Sequence, residues 1–197
     1  MTVSQSNSAP AHRTWLRLLV GVVIIVAVTA GAWVLGNWDF VHHRIGAVEP
    51  GVLYRSAQLS PAKLDDVIQE YGIRTVVNLR EEDPQEEKDV AARRGAAYVW
   101  LPSMQVPAKA NIDAFLVLMD DPKNHPVLVH CEHGVGRTGV LAGVYRMEYD
   151  DWKAAQVLDE ARWFAFWGSY FDGQDKTQYL EGYVPRHERR DAGAPSE

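Results

Sequence analysis

The sequence predicts an α/β fold: a mainly parallel central sheet flanked by helices, preceded by one transmembrane helix. Three observations carry this reading. From Val52 onward, short β-rich runs alternate with helical segments, a pattern that builds parallel sheets covered on both faces. The most apolar of those runs leads straight into a glycine-rich loop that opens a helix, and near the amino terminus one stretch stays apolar without interruption.

Taken in order, residues 1–17 read as a disordered cytoplasmic segment, 18–36 as the transmembrane helix or signal anchor, 37–185 as the folded domain and 186–197 as a disordered tail. Glu49-Pro50-Gly51 is a turn between two extended runs, Phe40–Val48 and Val52–Arg55. Ser60-Pro61 pairs a cap hydroxyl with proline at the first helical position, and Gly72 ends that helix after Tyr71. Ile73–Leu79 is a buried strand. Pro84 opens a charged helix that ends at Gly95, and the run from Glu81-Glu82-Asp83 through Glu86-Glu87-Lys88-Asp89 reads as its solvated face. Ala97–Leu101 is the next strand, Asn111 caps a helix through Met119, and Pro126–His130 is the strand before the loop. Helices follow over Arg137–Tyr149 and Trp152–Trp163.

From Leu18 to Leu35 no residue is more polar than Thr29. That length is at the short end of what crosses a hydrocarbon core of about 30 Å. A buried core helix is the competing reading, but helices that long usually carry a polar face. A cleaved secretory signal is another, with Arg13 and Arg17 in front and Ala30-Gly31-Ala32 as a small-residue site. Arg13 and Arg17 against Asp39 and Arg44 lean toward a single-pass cell-membrane protein with its domain on the outer, periplasmic side.

Composition narrows the partners. The formal net charge is −6, and no Lys/Arg-rich run with interleaved aromatics occurs, so nucleic acid is not expected. A single cysteine allows neither an internal disulfide nor a Cys/His metal spacing, and no metal or other cofactor is expected. The partners expected are the membrane and a phosphorylated protein or small phosphoester, for the following reason.

In Val127-Leu-Val-His-Cys-Glu-His-Gly-Val-Gly-Arg-Thr-Gly139 a buried strand ends at Cys131 and a helix begins at Arg137. Such a turn aims backbone N–H groups and the positive end of a helix dipole at one point, an anion site. The residues from Glu132 through His133, Gly134, Val135 and Gly136 to Arg137 form its wall; Gly134 and Gly136 supply backbone freedom and room. The same field favours the thiolate of Cys131 over the thiol. Arg137 offers bidentate donors to a phosphoryl group, and Thr138 a hydroxyl to the sulfur. His130 supports the cysteine or is a packed strand residue, and His133 is equally well a solvent-exposed loop residue.

The run His130-Cys131, five residues, then Arg137-Thr138-Gly139 resembles the signature of the cysteine-dependent protein tyrosine phosphatase superfamily. Gly51-Val-Leu-Tyr-Arg-Ser56, Gly72-Ile-Arg-Thr-Val-Val-Asn-Leu-Arg80 and His125-Pro-Val-Leu-Val-His130 are similar to the atypical dual-specificity phosphatases of bacteria, plants and fungi, over roughly Phe40 to Val184. Cys131-Glu-His-Gly, Tyr145-Arg146-Met147 and Trp152 are most similar to the bacterial branch. The resemblance implies a phosphocysteine intermediate on Cys131, with Arg137 and the loop amides holding the oxygens, and no metal.

The sequence departs from that family at one place. The loop that generally carries an aspartate acid is here Leu101-Pro-Ser-Met-Gln-Val-Pro-Ala-Lys-Ala110, with no carboxylate. Asp113 is the nearest acid, yet its position in a first helical turn suits dipole capping. General acid catalysis contributes roughly 10²–10⁴-fold, so phenols and anhydride-linked phosphates are favoured over aliphatic alcohols. Glu132 within the loop argues against a heavily charged substrate, although phospholipid and inositol (pyro)phosphates stay open as alternatives, as does a non-catalytic phosphate-binding module. A rhodanese-type sulfurtransferase fits less well, because its loop is commonly one residue shorter. Arg55 and Arg80 line the pocket mouth or pair with the nearby carboxylates. Trp163-Phe-Ala-Phe-Trp167 and Tyr170-Phe171 suit core or interface, with a lipid surface as the lesser alternative.

Overall fold

The computed structural model describes residues 11–36 and 42–191. The chain divides at His42 into two units. In the first, helix α1 spans Ala11–Gly36, and its stretch Trp15–Leu35 is long and apolar enough to cross a membrane. The helix starts at Ala11 rather than Leu18 because backbone hydrogen bonding, not apolarity, propagates a helix. The disorder expected for residues 1–17 is thus replaced by helix from Ala11, and residues 1–10 lie outside the described ones.

In the second unit a five-stranded sheet holds β1 (Gly46–Glu49), β2 (Leu53–Ser56), β3 (Thr75–Asn78), β4 (Ala97–Trp100) and β5 (Val127–His130) in the order β1-β2-β5-β3-β4. All pairings are parallel except the β1–β2 hairpin, whose turn places Gly51 at φ 79°. The first strand is shorter than the run Phe40–Val48 predicted, and Phe40 and Val41 lie outside the described residues. Along β5 the pleat sends Val127 and Val129 into one apolar cluster and Leu128 into the other, so the strand is buried on both faces. Helices α2 (Pro61–Tyr71) and α3 (Gln85–Arg93) cover the Leu128 side; α4 (Lys109–Asp120), α5 (Gly136–Tyr149), α6 (Ala154–Phe164) and α7 (Asp175–Gly182) cover the other.

The caps follow sequence chemistry. Ser60 accepts from the Lys63 amide at the start of α2, and Gly72 closes it at φ 63°. Asn111 does not cap α4: it lies inside the helix and donates to the Pro102 carbonyl at 2.7 Å, fastening the preceding loop. The expected tail is also corrected, because Arg186–Asp191 forms a helix, α8. Arg186 joins it to the domain through Asp120 at 2.7 Å and Glu148 at 2.8 Å. Residues 192–197 lie outside the described ones.

Candidate active site

Strand β5 is central, with β2 and β3 on either side, and Cys131 follows its last residue at the carboxyl end of the sheet. Substrate clefts of open parallel sheets form at that end. Cys131 is buried, the loop runs from Glu132 to Val135, and α5 begins at Gly136.

The loop is held from behind by its carbonyls. The Gln58 amide donates to Glu132 O at 3.1 Å, and Arg55 Nη2 donates to Gly134 O at 2.8 Å. The Tyr170 hydroxyl is 3.0 Å from Val135 O and 2.7 Å from Gly136 O. In a planar trans peptide the N–H points opposite to the C=O. Four carbonyls drawn backward therefore turn the amides of His133, Val135, Gly136 and Arg137 toward the cleft. Val135 at the start of α5 makes no side-chain cap, so the helix terminus leaves those donors to a ligand.

Gly134 is required twice over. Its φ is 66°, and a Cβ there would lie 2.5 Å from the Ala57 amide nitrogen and 2.7 Å from the Ser56 carbonyl carbon. Gly136 differs from expectation: its φ is not positive, and what it provides is space, since a Cβ would meet Gln105 Oε1 at 2.7 Å.

Arg137 donates to Leu79 O at 3.1 Å and lies near Ser103 O at 3.4 Å, so the end of β3 and the loop after β4 fix its guanidinium. A cleft of about 210 Å³ opens over it, lined by Glu81, Glu82, Ser103, Met104, Gln105 and Glu132. The structure thus gives Glu132 a place in the pocket, with Oε2 3.8 Å from Arg137 Nη2, whereas His133 is exposed. Thr138 is fully buried, but its hydroxyl has no hydrogen-bond partner among the described residues, so the expected bond to the sulfur is not made. His130 is buried with Nε2 3.3 Å from Glu87 Oε2; among the described residues neither ring nitrogen has a well-formed hydrogen bond. Asp113 is outside the cleft lining and pairs with Lys109 at 2.9 Å on the surface; α4 begins at Lys109, so Asp113 lies past the first turn and does not cap the helix dipole as expected.

Two expectations for the charge run need correction. Glu81 and Glu82 precede α3 and line the cleft, while Glu87 is buried against His130. Arg80 pairs with Glu82 at 2.9 Å, but Arg55 does neither of the things expected of it, lying wholly beneath the loop. Gln58 and Tyr170 went unread as loop supports. A signal for the first was present: β2 runs parallel to β5 with Ser56 beside His130, so the residues after Ser56 must pass the loop. Tyr170 carried none, because only the tertiary fold brings it there. Among the described residues no group of three or more His, Cys, Asp or Glu side chains is placed to hold a metal.

A buried thiol at the end of a central strand, an inward-facing amide cradle and a guanidinium opening the next helix define a cysteine-dependent phosphatase. The family model described as "DSP-PTPase phosphatase fused to NAD+ Kinase" matches residues 31–168, and the chain belongs to this DSP-PTPase family. Dual specificity protein phosphatase TpbA of Pseudomonas aeruginosa is 30% identical over 195 residues, covering 87% of this chain and 83% of TpbA. Its crystal structure superimposes with a TM-score of 0.61 at 26% identity, over 72% of this chain and 86% of that one. The core catalytic domain of the PP-IP phosphatase SIW14 from S. cerevisiae gives a TM-score of 0.64 at 25% identity, over 76% of this chain and 90% of that domain.

Proposed function

We propose that the chain hydrolyses phosphotyrosine-type phosphomonoesters in preference to polyphosphorylated small molecules, with Cys131 as nucleophile and Arg137 as phosphate clamp. The Cys131 thiolate attacks phosphorus, the bond to the leaving oxygen breaks, and its electron pair departs with that oxygen. The phenolate is then protonated. Water attacks the phosphocysteine, the S–P bond breaks, inorganic phosphate leaves and the thiolate is restored. The amides of His133, Val135, Gly136 and Arg137 and the Arg137 guanidinium hold the phosphoryl oxygens throughout.

The observation carrying the substrate preference is the rim: Glu81, Glu82 and Glu132 line the cleft, and among the described residues that line it Arg137 is the one cation, with Arg80 behind Glu82 at 2.9 Å. A carboxylate about 6 Å from an additional phosphate charge costs roughly 0.7 kcal/mol at the dielectric of water and roughly 3 kcal/mol at an effective value near 20. A substrate carrying several phosphates meets that cost repeatedly, whereas a phosphotyrosine peptide, with one phosphate and an aromatic leaving group, meets it once. TpbA has been crystallised in complex with pTyr, which supports the reading; SIW14 is named for PP-IP substrates. Phosphate release by the full chain in detergent from a phosphotyrosine peptide and from an inositol pyrophosphate tests it. A kcat/KM ratio favouring the peptide by about 10²-fold is expected from those costs, and a ratio favouring the inositol compound overturns it.

We further infer that α1 anchors residues 37–185 to a membrane, the amino terminus in the cytoplasm and the domain outside. Trp15–Leu35 is unbroken and exposed, and the flanking basic bias favours that orientation. Retention of the full chain in the membrane after alkaline extraction, with protease access only from the outer side, is the expected result.

A further inference from the structure

The end of α6 and residues 165–171 carry aromatic side chains in two opposite directions. Phe164 and Tyr170 are buried, Phe164 under the Arg55 guanidinium carbon at 4.0 Å and Tyr170 against the loop carbonyls. Trp163, Phe166, Trp167 and Phe171 are instead 50%, 45%, 62% and 55% exposed. The run suits core or interface by its sequence, and the fold keeps these four out of the core.

Their exposure is built into a fixed backbone. Phe166 and Trp167 stand in succession at φ 48° and 57°, a region that bulky side chains rarely adopt and where strain clusters at binding sites. The Trp167 amide donates to Arg162 O at 2.8 Å, Arg162 Nε donates to Tyr170 O at 3.1 Å, and the Tyr170 amide donates to Gln174 Oε1 at 2.8 Å. Four large apolar side chains are thus presented on a rigid turn, with little left to order when they meet a partner.

Two observations identify that partner as a lipid surface. The first is the tether. Arg44, just past the start of the second unit at His42, donates to the Phe164 carbonyl, and its guanidinium carbon lies 4.0 Å over the Phe166 ring. The aromatics therefore flank the point where the chain enters the domain. From Gly36, the end of α1, to His42 the chain advances 6 residues, a reach of at most about 20 Å. A domain hung on a membrane-spanning α1 keeps its entry point, and the aromatics beside it, within that distance of the bilayer. The second observation is size. Aromatic side chains bury roughly 150–250 Å² each, so four that are half exposed offer roughly 300–500 Å². Each partner in a stable protein interface buries about 800 Å². The patch is small for a second copy of this chain, while Trp rings settle readily at the headgroup level of a membrane.

We propose that Trp163, Phe166, Trp167 and Phe171 form a lipid-docking face that enters the headgroup region of the bilayer crossed by α1. The proposal rests on α1 being a membrane anchor. The same segment fastens the phosphate-binding loop through Tyr170, so docking holds the active site at a fixed orientation toward the bilayer.

The test uses the full chain in phosphatidylethanolamine–phosphatidylglycerol vesicles, with and without a phospholipid carrying an acyl-chain nitroxide. Cys131→Ser removes the one cysteine, so a fluorophore can be attached through Asp172→Cys, beside Phe171, or through Glu70→Cys in α2, on the other face of the sheet. A docked face sits about 5–10 Å into the headgroup and acyl boundary, so nitroxide lipid is expected to dim the label at 172 about twofold or more and the label at 70 far less. Adding Trp163→Ser and Trp167→Ser, both at exposed positions, should bring the 172 label close to the level of the 70 label with the thermal midpoint little changed.

Equal quenching at 172 and 70, or quenching at 172 that the two serines leave intact, overturns the proposal. Concentration-dependent self-quenching of the 172 label in detergent assigns the face to a second copy and overturns it as well. Retention after alkaline washing of the same vesicles reads the anchor separately. A retained chain without selective quenching loses the docking face alone, whereas a chain that washes out yet is selectively quenched at neutral pH loses the anchor alone.

Discussion

The two sides of the phosphate-binding loop differ in every physical respect. Behind it, Arg55, Tyr170 and the Gln58 amide are committed to loop carbonyls, and Arg55 and Tyr170 are nearly or wholly excluded from solvent. In front, Glu81, Glu82 and Glu132 stand at an open, solvated cleft around the Arg137 guanidinium. The back fixes geometry and carries positive charge at low dielectric, where charge acts strongly. The rim carries negative charge where water screens it, which suits discrimination between substrates better than catalysis. One loop thus separates chemistry from choice by facing two environments.

The sharpest way to break that division is to remove a member of the chemical side. Cys131→Ser should lower turnover by about 10⁴-fold or more while leaving phosphopeptide binding, read by calorimetry, intact. Arg137→Ala should cost about 10²–10³-fold in kcat/KM on p-nitrophenyl phosphate, because one fixed donor to the transferring group is lost. Gly134→Ala meets both a left-handed φ and the Ser56–Ala57 backbone. It should destabilise the fold by about 1–3 kcal/mol and lower the thermal midpoint by several degrees. Tyr170→Phe removes the donor shared by Val135 O and Gly136 O, so a loss of about 1–3 kcal/mol is expected in denaturant unfolding, with a fall in kcat that supplied substrate does not reverse.

The rim should respond differently. Glu81→Gln should raise kcat/KM for an inositol pyrophosphate relative to a phosphotyrosine peptide by about threefold to tenfold, with the gain shrinking as salt is added. A change of Glu81 that alters both substrates equally would erase the distinction between the two sides.

What the sequence makes legible divides along the same line. The strand into Cys131, the loop and the helix from Arg137 are local, contiguous and punctuated by glycine, so their reading holds to within a residue. Ser60 and Gly72 cap α2 as their chemistry requires. The back of the loop is assembled from residues 79 and 35 positions away in sequence, as the Arg55–Gly134 and Tyr170–Val135 bonds record. No periodicity can report such pairs. Arg55 was also misplaced because an exposed arginine beside acids is the common case, and only the parallel register of β2 with β5 puts it under the loop. Helices α7 and α8 escaped notice because they are short and carry few apolar residues; in α7, Thr177 and Leu180 are buried. Glu81 and Glu82 read as helix surface, yet α3 starts at Gln85 and leaves them at the cleft.

The central claim is a phosphocysteine formed on Cys131. The most direct test is acid quenching of the full chain during turnover of a phosphotyrosine peptide, followed by peptide mass spectrometry. A phosphoryl group on the Cys131 peptide, present in wild type and absent in Cys131→Ser, is the predicted result. Turnover without that adduct, or turnover persisting in the serine variant, would contradict the account.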